Sequence, residues 1–190
     1  HERVGKALGL VGVGNLGGLL ARKAALGFDM KVLAFDPYAK ELPDYIIPVS
    51  SREEVFKKAD YVSLHVPATP ETVNSVGEKE LAGMKKTAFL INTARGSIID
   101  EEALIKALEE KQIAGAALDV TREEPFSREN PLLEMDNVLT APHIGAATKE
   151  ASSRSSLACA EGIDDFLSGR TPKYPVPPMR EQLEQMNFTK

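Results

Sequence analysis

The sequence predicts an α/β fold: a doubly wound parallel sheet covered by helices on both faces. Three observations carry that expectation. Short apolar runs with little polar alternation recur along the 190 residues, amphipathic stretches separate them, and a glycine-rich turn follows the first run directly. Strands buried on both faces of a parallel sheet need no in–out alternation, and repeated strand–helix units are what cover such a sheet.

Taken in order, Ala7–Val13, Lys31–Phe35, Tyr61–Leu64, Ala88–Asn92, Ala114–Val120 and Asn137–Thr140 read as strands. A helical pattern runs from the glycine turn to Gly27. Ser51 followed three residues on by Glu54 is a capping box that opens a helix over Arg52–Lys58. Asp100 precedes a helix over Glu101–Lys111, with Ala103, Leu104, Ala107 and Leu108 on one face and acid in its first turn. Thr148 caps a last helix to about Leu167, which Gly169 ends. After Gly169 the prolines 172, 175, 177 and 178 predict an extended segment. The expected organisation is one domain over residues 1–170 and a C-terminal extension over 171–190.

Composition narrows the function. A hydrophobic share of 43% against 27% charged residues is ordinary for a globular chain in water, and this length allows a core that buries roughly 70% of the unfolded surface. The net charge of -5 is spread without a block of one sign, which argues against nucleic acid or a membrane surface as partner. No apolar run approaches the roughly 20 residues that a spanning helix needs. The single cysteine, Cys159, excludes an internal disulfide. It is expected in a helix as a core residue, in a reducing, cytoplasmic setting. No metal site is expected.

The first strand runs into Gly12-Val13-Gly14-Asn15-Leu16-Gly17. This is the G-x-G-x-x-G dinucleotide fingerprint, and it stands between a strand and a helix as it must. The first glycine makes the tight turn, the second lets backbone approach a pyrophosphate, and the third lets helix and strand pack closely, as in a Rossmann-type sheet. The helix N-terminus adds free N–H groups for phosphate oxygens. Asp36 ends the second strand, 19 residues beyond Gly17, where a carboxylate accepts from the ribose hydroxyls of an adenosine. Its charge would repel a 2′-phosphate, so NAD is favoured over NADP.

Three later strand ends carry polar groups that a core does not require. Arg95 follows the fourth expected strand, and its planar fork suits a carboxylate. Leu118–Pro125 continues from the fifth with Asp119, Glu123 and Glu124, and Pro142-His143-Ile144-Gly145 follows the last. In open α/β sheets the carboxyl ends of the strands are where ligands bind.

With GVGNLG, NTARGSIIDEEAL, LDVTREEP and APHIGAAT in that order, the chain resembles the D-isomer-specific 2-hydroxyacid dehydrogenases over roughly residues 4 to 170. The resemblance implies an NAD-dependent oxidoreductase that interconverts a D-2-hydroxy acid and a 2-keto acid, and a homodimer. It gives Arg95 the substrate carboxylate and carbonyl, makes His143 the acid–base residue, and makes Glu124 its partner. It assigns Asp119 to the nicotinamide carboxamide or the nearby cofactor surface and brings Asn15, Leu16, Asp36, Val66, Thr93, Ala94 and the turn His143–Ala146, with Gly145 and Ala146, to the cofactor. Leu64-His65-Val66-Pro67 would border the adenosine half, with His65 a neighbour that has no chemical role. A carboxylate beside His143 should favour its charged form.

NAD-dependent formate dehydrogenases resemble this domain but carry glutamine where Glu124 stands, so the glutamate argues for proton-transferring chemistry. Members of the family also have a second, substrate domain, built from an N-terminal segment and the C-terminal end. Here the first cofactor strand starts at about Ala7, so that domain is expected to be largely absent, with Lys173–Lys190 as a remnant strand and short helix. Such a chain should bind NAD and turn over poorly. Related NAD-sensing transcriptional corepressors keep the same triad, but they would need a peptide-binding surface and a long disordered tail, and neither is visible in the sequence.

Overall fold

A computed structural model describes residues 4–175. Seven strands form one parallel sheet: β1 (Ala7–Val11), β2 (Lys31–Phe35), β3 (Ile46–Pro48), β4 (Tyr61–Leu64), β5 (Phe89–Asn92), β6 (Gly115–Leu118) and β7 (Val138–Thr140). Their spatial order is β3-β2-β1-β4-β5-β6-β7. The chain therefore winds outward from β1 to β3, returns to place β4 beside β1, and winds outward the other way. The reversal lies between β1 and β4, where Val11 is level with Leu64, and it opens a crevice at the carboxyl ends of both strands.

Among the described residues four helices accompany the sheet, α1 (Asn15–Phe28), α2 (Arg52–Lys58), α3 (Glu78–Ala82) and α4 (Glu101–Glu109), and a fifth, α5 (Lys149–Leu167), follows later in the chain. The alternation of β1 decides which helix takes which face. Leu8 and Leu10 join Ala21 and Ala24 of α1 in one buried cluster, together with Val32, Ala34 and Ile46. Gly9 and Val11 point the other way. A Cβ on Gly9 would stand 2.6 Å from Val55 and 2.7 Å from Ala59, and Val11, Val55, Phe56, Leu64, Leu90, Leu104 and Leu118 belong to the second cluster. Both faces are dry, so the apolar runs of the sequence are accounted for.

Among the strands and α-helices, two short elements were not expected. β3 has three residues and borders β2 at the edge of the sheet. α3 has five, and Glu80 turns back to accept from the Gly77 N–H at 3.2 Å. Lys31–Phe35 and Tyr61–Leu64 have the expected bounds, and the other four expected strands were one to three residues too long. Val13, for example, lies beyond the ladder, because Gly12 turns the chain at φ +94°.

The described residues form two compact units that divide after His143. In the second, the Ala147 N–H bonds to the Ile144 carbonyl, and Thr148 caps α5 by accepting from the Ala151 N–H at 3.0 Å. Gly169 follows the helix at φ +72°. No residue of α5 is buried. Cys159, expected in a core, is exposed, because α5 buries none of its residues. The expected strand and short helix over Lys173–Lys190 lie, after residue 175, outside the described residues.

Candidate active site

The glycine turn is built by close approach. The Gly12 N–H bonds to the Phe35 carbonyl of β2 at 2.9 Å. A Cβ on Gly12 would stand 2.6 Å from the His65 carbonyl oxygen, and one on Gly17 would stand 2.5 Å from the Gly12 carbonyl oxygen. Gly14 differs: a Cβ there would meet no protein atom within 4 Å. Its smallness serves nothing in the chain itself and leaves the backbone open to a ligand. Gly14 begins α1 without a side-chain cap, and the first turn of α1 has no acidic residue. Free N–H groups with no competing carboxylate are what a phosphate requires, so these residues fit a dinucleotide.

The turn faces a crevice of about 560 Å³ lined by Gly14, Asn15, Leu16, His65, Val66, Pro67, Ala68, Thr93, Ala94 and Arg95. The fold thus gathers residues from the ends of β1, β4 and β5. Gly12 and Gly17 hold the turn from behind. Asp36 reaches the same turn: one carboxylate oxygen accepts from the Val13 N–H at 2.8 Å and the other from the Tyr38 N–H at 2.9 Å. Two of its roughly four acceptor sites are thus used, which leaves room for ribose hydroxyls. The tie to Val13 was not foreseen, since it depends on β1 and β2 being neighbours.

Arg95 is presented by a residue that sequence reasoning overlooked. Asn92, fully buried at the end of β5, accepts from the Ala94 N–H at 3.0 Å and donates to the Arg95 carbonyl at 2.9 Å. The turn is closed around that amide, and the exposed Arg95 guanidinium rests on the Ala94 carbonyl at 2.6 Å. The following residue must be glycine: a Cβ on Gly96 would stand 1.9 Å from the Thr121 carbonyl oxygen. Backbone against backbone, the loop after β5 locks to the loop after β6. An Asn placed at a strand's last residue, before Thr-Ala-Arg-Gly, was the available signal for this turn.

The loop after β6 carries Glu124, and His143 stands at the end of the first unit. The Asp119 carbonyl accepts from the His143 N–H at 2.8 Å, holding His143 at φ +55°, a left-handed conformation that non-glycine residues rarely adopt. Its Nδ1 lies 2.9 Å from Glu124 Oε2. That contact, the Thr121 N–H and the nearby charge of Arg95 hold the Glu124 carboxyl below its ordinary range, with the hydrogen bond from His143 the largest cause. With Glu124 ionised, Nδ1 must carry the proton of the contact, and Nε2 is left to exchange one with a ligand. Asp119 itself ends β6 through its N–H to the Asn92 carbonyl at 3.0 Å. Gly145 and Ala146 belong to the second unit.

A sheet that reverses beside a glycine turn, with a free helix N-terminus and an acid at the next strand, defines a dinucleotide-binding α/β protein. Comparisons with known proteins make the class specific. The sequence model of the "D-isomer specific 2-hydroxyacid dehydrogenase, NAD binding domain" matches residues 1–145, and the chain belongs to that family. It is 43% identical to a glyoxylate reductase of Korarchaeum cryptofilum over 177 residues, 90% of this chain and 52% of that protein. It is also 43% identical to a D-3-phosphoglycerate dehydrogenase of Methanocaldococcus jannaschii over 171 residues, 88% of this chain and 32% of that protein. The crystal structure of D-lactate dehydrogenase with NAD+ from Lactobacillus jensenii superposes with a TM-score of 0.85 at 32% identity, covering 93% of this chain and 57% of that one. The chain thus spans about half the length of the first of these relatives, or less. Among the described residues no helix is long and apolar enough to cross a membrane.

Proposed function

We propose that residues 1–170 are the NAD-binding domain of an enzyme that interconverts a D-2-hydroxy acid and a 2-keto acid, with 171–190 an extension. The observation that carries this reading is the His143–Glu124 pair, 2.9 Å apart, at the same strand ends as the cofactor crevice and Arg95. NADH, when bound, supplies the hydride that reduces a keto carbon, and NAD accepts it in the reverse direction.

The chain's own residues then have distinct tasks. As negative charge grows on the carbonyl oxygen, His143 gives it a proton from Nε2. Glu124 stabilises the charged ring and holds its orientation. Arg95 grips the substrate carboxylate and adds positive charge near the oxygen. In oxidation neutral His143 takes the hydroxyl proton. Gly12, Gly14, Asn15, Leu16 and Gly17 seat the diphosphate, Asp36 the adenosine ribose, and Val66 and Pro67 the adenosine side. Thr93, Ala94, Arg95, Asp119 and His143 serve the nicotinamide side. The relatives named above make glyoxylate and a phosphorylated three-carbon acid the first substrates to try. A homodimer in the cytoplasm completes the proposal; family resemblance supports the dimer, and the lone cysteine supports a reducing compartment.

His143→Ala tests the assignment. Keto-acid turnover should fall about 10²–10⁴-fold, the usual worth of a positioned acid, while NADH affinity stays within about twofold of the parent. Intact turnover with weakened NADH binding would remove His143 from the chemistry.

A further inference from the structure

His65 has no task in this mechanism, yet its ring is held in place. It follows the end of β4, lines the crevice, and lies with Nε2 2.9 Å from Ser63 Oγ. Ser63 is two residues back, so both side chains leave the same face of the strand. Its side chain is buried, at 2% exposure, and a buried hydroxyl hydrogen needs an acceptor. Among the described residues His65 Nε2 is the partner that the Ser63 hydroxyl has. Nε2 must then offer its lone pair, and in a neutral imidazole the proton sits on the other nitrogen. The Nδ1–H is therefore a donor, and it has no hydrogen-bond partner among the described residues. Protonating the ring would put a second hydrogen opposite the Ser63 hydroxyl. Burial of the imidazole pushes its pKa down as well, so two effects keep it neutral.

The surroundings indicate what the donor is for. The His65 carbonyl oxygen closes over Gly12, and the His65 Cβ lies 3.4 Å from where a Cβ on Gly17 would stand. The side chain is thus rooted beside the glycine turn and the uncapped start of α1, where anionic oxygens are favoured. We propose that His65 is a cofactor-binding residue: Ser63 locks it as the neutral Nδ1–H tautomer, and that N–H is donated to an oxygen of the cofactor's diphosphate. Ser63 acts through His65 and is a positioning residue. The proposal rests on the reading of this crevice as the cofactor seat.

The test has a ligand-free part and a ligand-bound part, both on the full chain. Nitrogen-15 NMR of the histidine rings should find His65 as the Nδ1–H tautomer, and Ser63→Ala should shift it toward Nε2–H. An Nε2–H ring in the parent protein overturns the proposal whatever NADH does. In NADH titrations His65→Ala should bind three- to tenfold more weakly, the size of one neutral hydrogen bond. His65→Asn, whose amide N–H replaces Nδ1–H, should recover most of that loss. His65→Gln, which copies the Nε2 side, should not. Equal affinity of parent and His65→Ala, or equal rescue by Asn and Gln, overturns the role of His65 alone. A parent chain that binds no NADH overturns the cofactor reading of the crevice along with it.

Discussion

At the N-terminal ends of the strands, Asp60 accepts from the Ala7 N–H at 2.8 Å and from Lys85 Nζ at 2.9 Å. At the carboxyl ends, Glu124 accepts from His143 at 2.9 Å. Each site pairs a carboxylate with a cationic or basic group over a similar distance, but their exposure differs. The Asp60 side chain is 19% exposed, against 40% for Glu124 and 49% for His143. Asp60 ties the start of β1 to the segment before β5, and its partners are all structural. The Glu124 pair ties one loop to another and leaves a ring nitrogen unspent. The shielded pair is thus structural, and the open pair is the one to which the proposed proton transfer is assigned.

The largest stability effect expected at the carboxyl end comes from the backbone, not from a charge. Gly96→Ala must push the loops after β5 and β6 apart, and should cost about 3 kcal/mol in denaturant unfolding. A midpoint like that of the parent would mean that the two loops do not meet.

Asp60→Ala is next. It leaves the Ala7 N–H without its acceptor and should cost about 1–2 kcal/mol, with NADH binding unchanged. Burial alone would raise the Asp60 carboxyl. The Ala7 N–H, the Lys85 ammonium and the charge of Lys6 more than offset this and bring it below its ordinary value of 3.8. A depressed carboxyl stabilises the fold above its unfolded pKa, and the contribution is lost as pH falls through the folded value. The stability gap between parent and Asp60→Asn should therefore be constant above about pH 5 and close under more acid conditions. A gap that widened in acid would reverse the sign of this contribution.

Glu124→Gln should have the smallest effect on folding. Its carboxyl is also depressed, with the same sign, but solvent screens the pair and an exposed ion pair adds little stability. The unfolding midpoint should match that of the parent at neutral pH while the proton-transfer step slows. A clear loss of stability would make the two ends of the sheet alike.

The sheet was largely legible because its signals are local. Buried parallel strands read as apolar runs, and Ser51, Asp100 and Thr148 each cap the helix they were expected to start. β3 was not legible: Ile46-Ile47-Pro48 is too short to show a period, and it is a strand only because β2 lies beside it. α3 failed for the same reason of length. Cys159 shows the opposite limit, since helix periodicity gives α5 an apolar face without saying what, if anything, covers it.

The sequence by itself determined the class of fold, the glycine turn with Asp36, and the residue types proposed to carry the chemistry. These depend on spacings within one strand–turn–helix unit and on motifs contiguous in the chain. Only the tertiary structure decided that buried Asn92 shapes the turn presenting Arg95, that Asp36 also holds Val13, and that Ser63 lies against His65 Nε2. Each depends on which strand lies beside which, or on which way a strand's side chains face. Hydrogen bonds and tautomers are settled over about 3 Å, a scale that chain spacing does not reach.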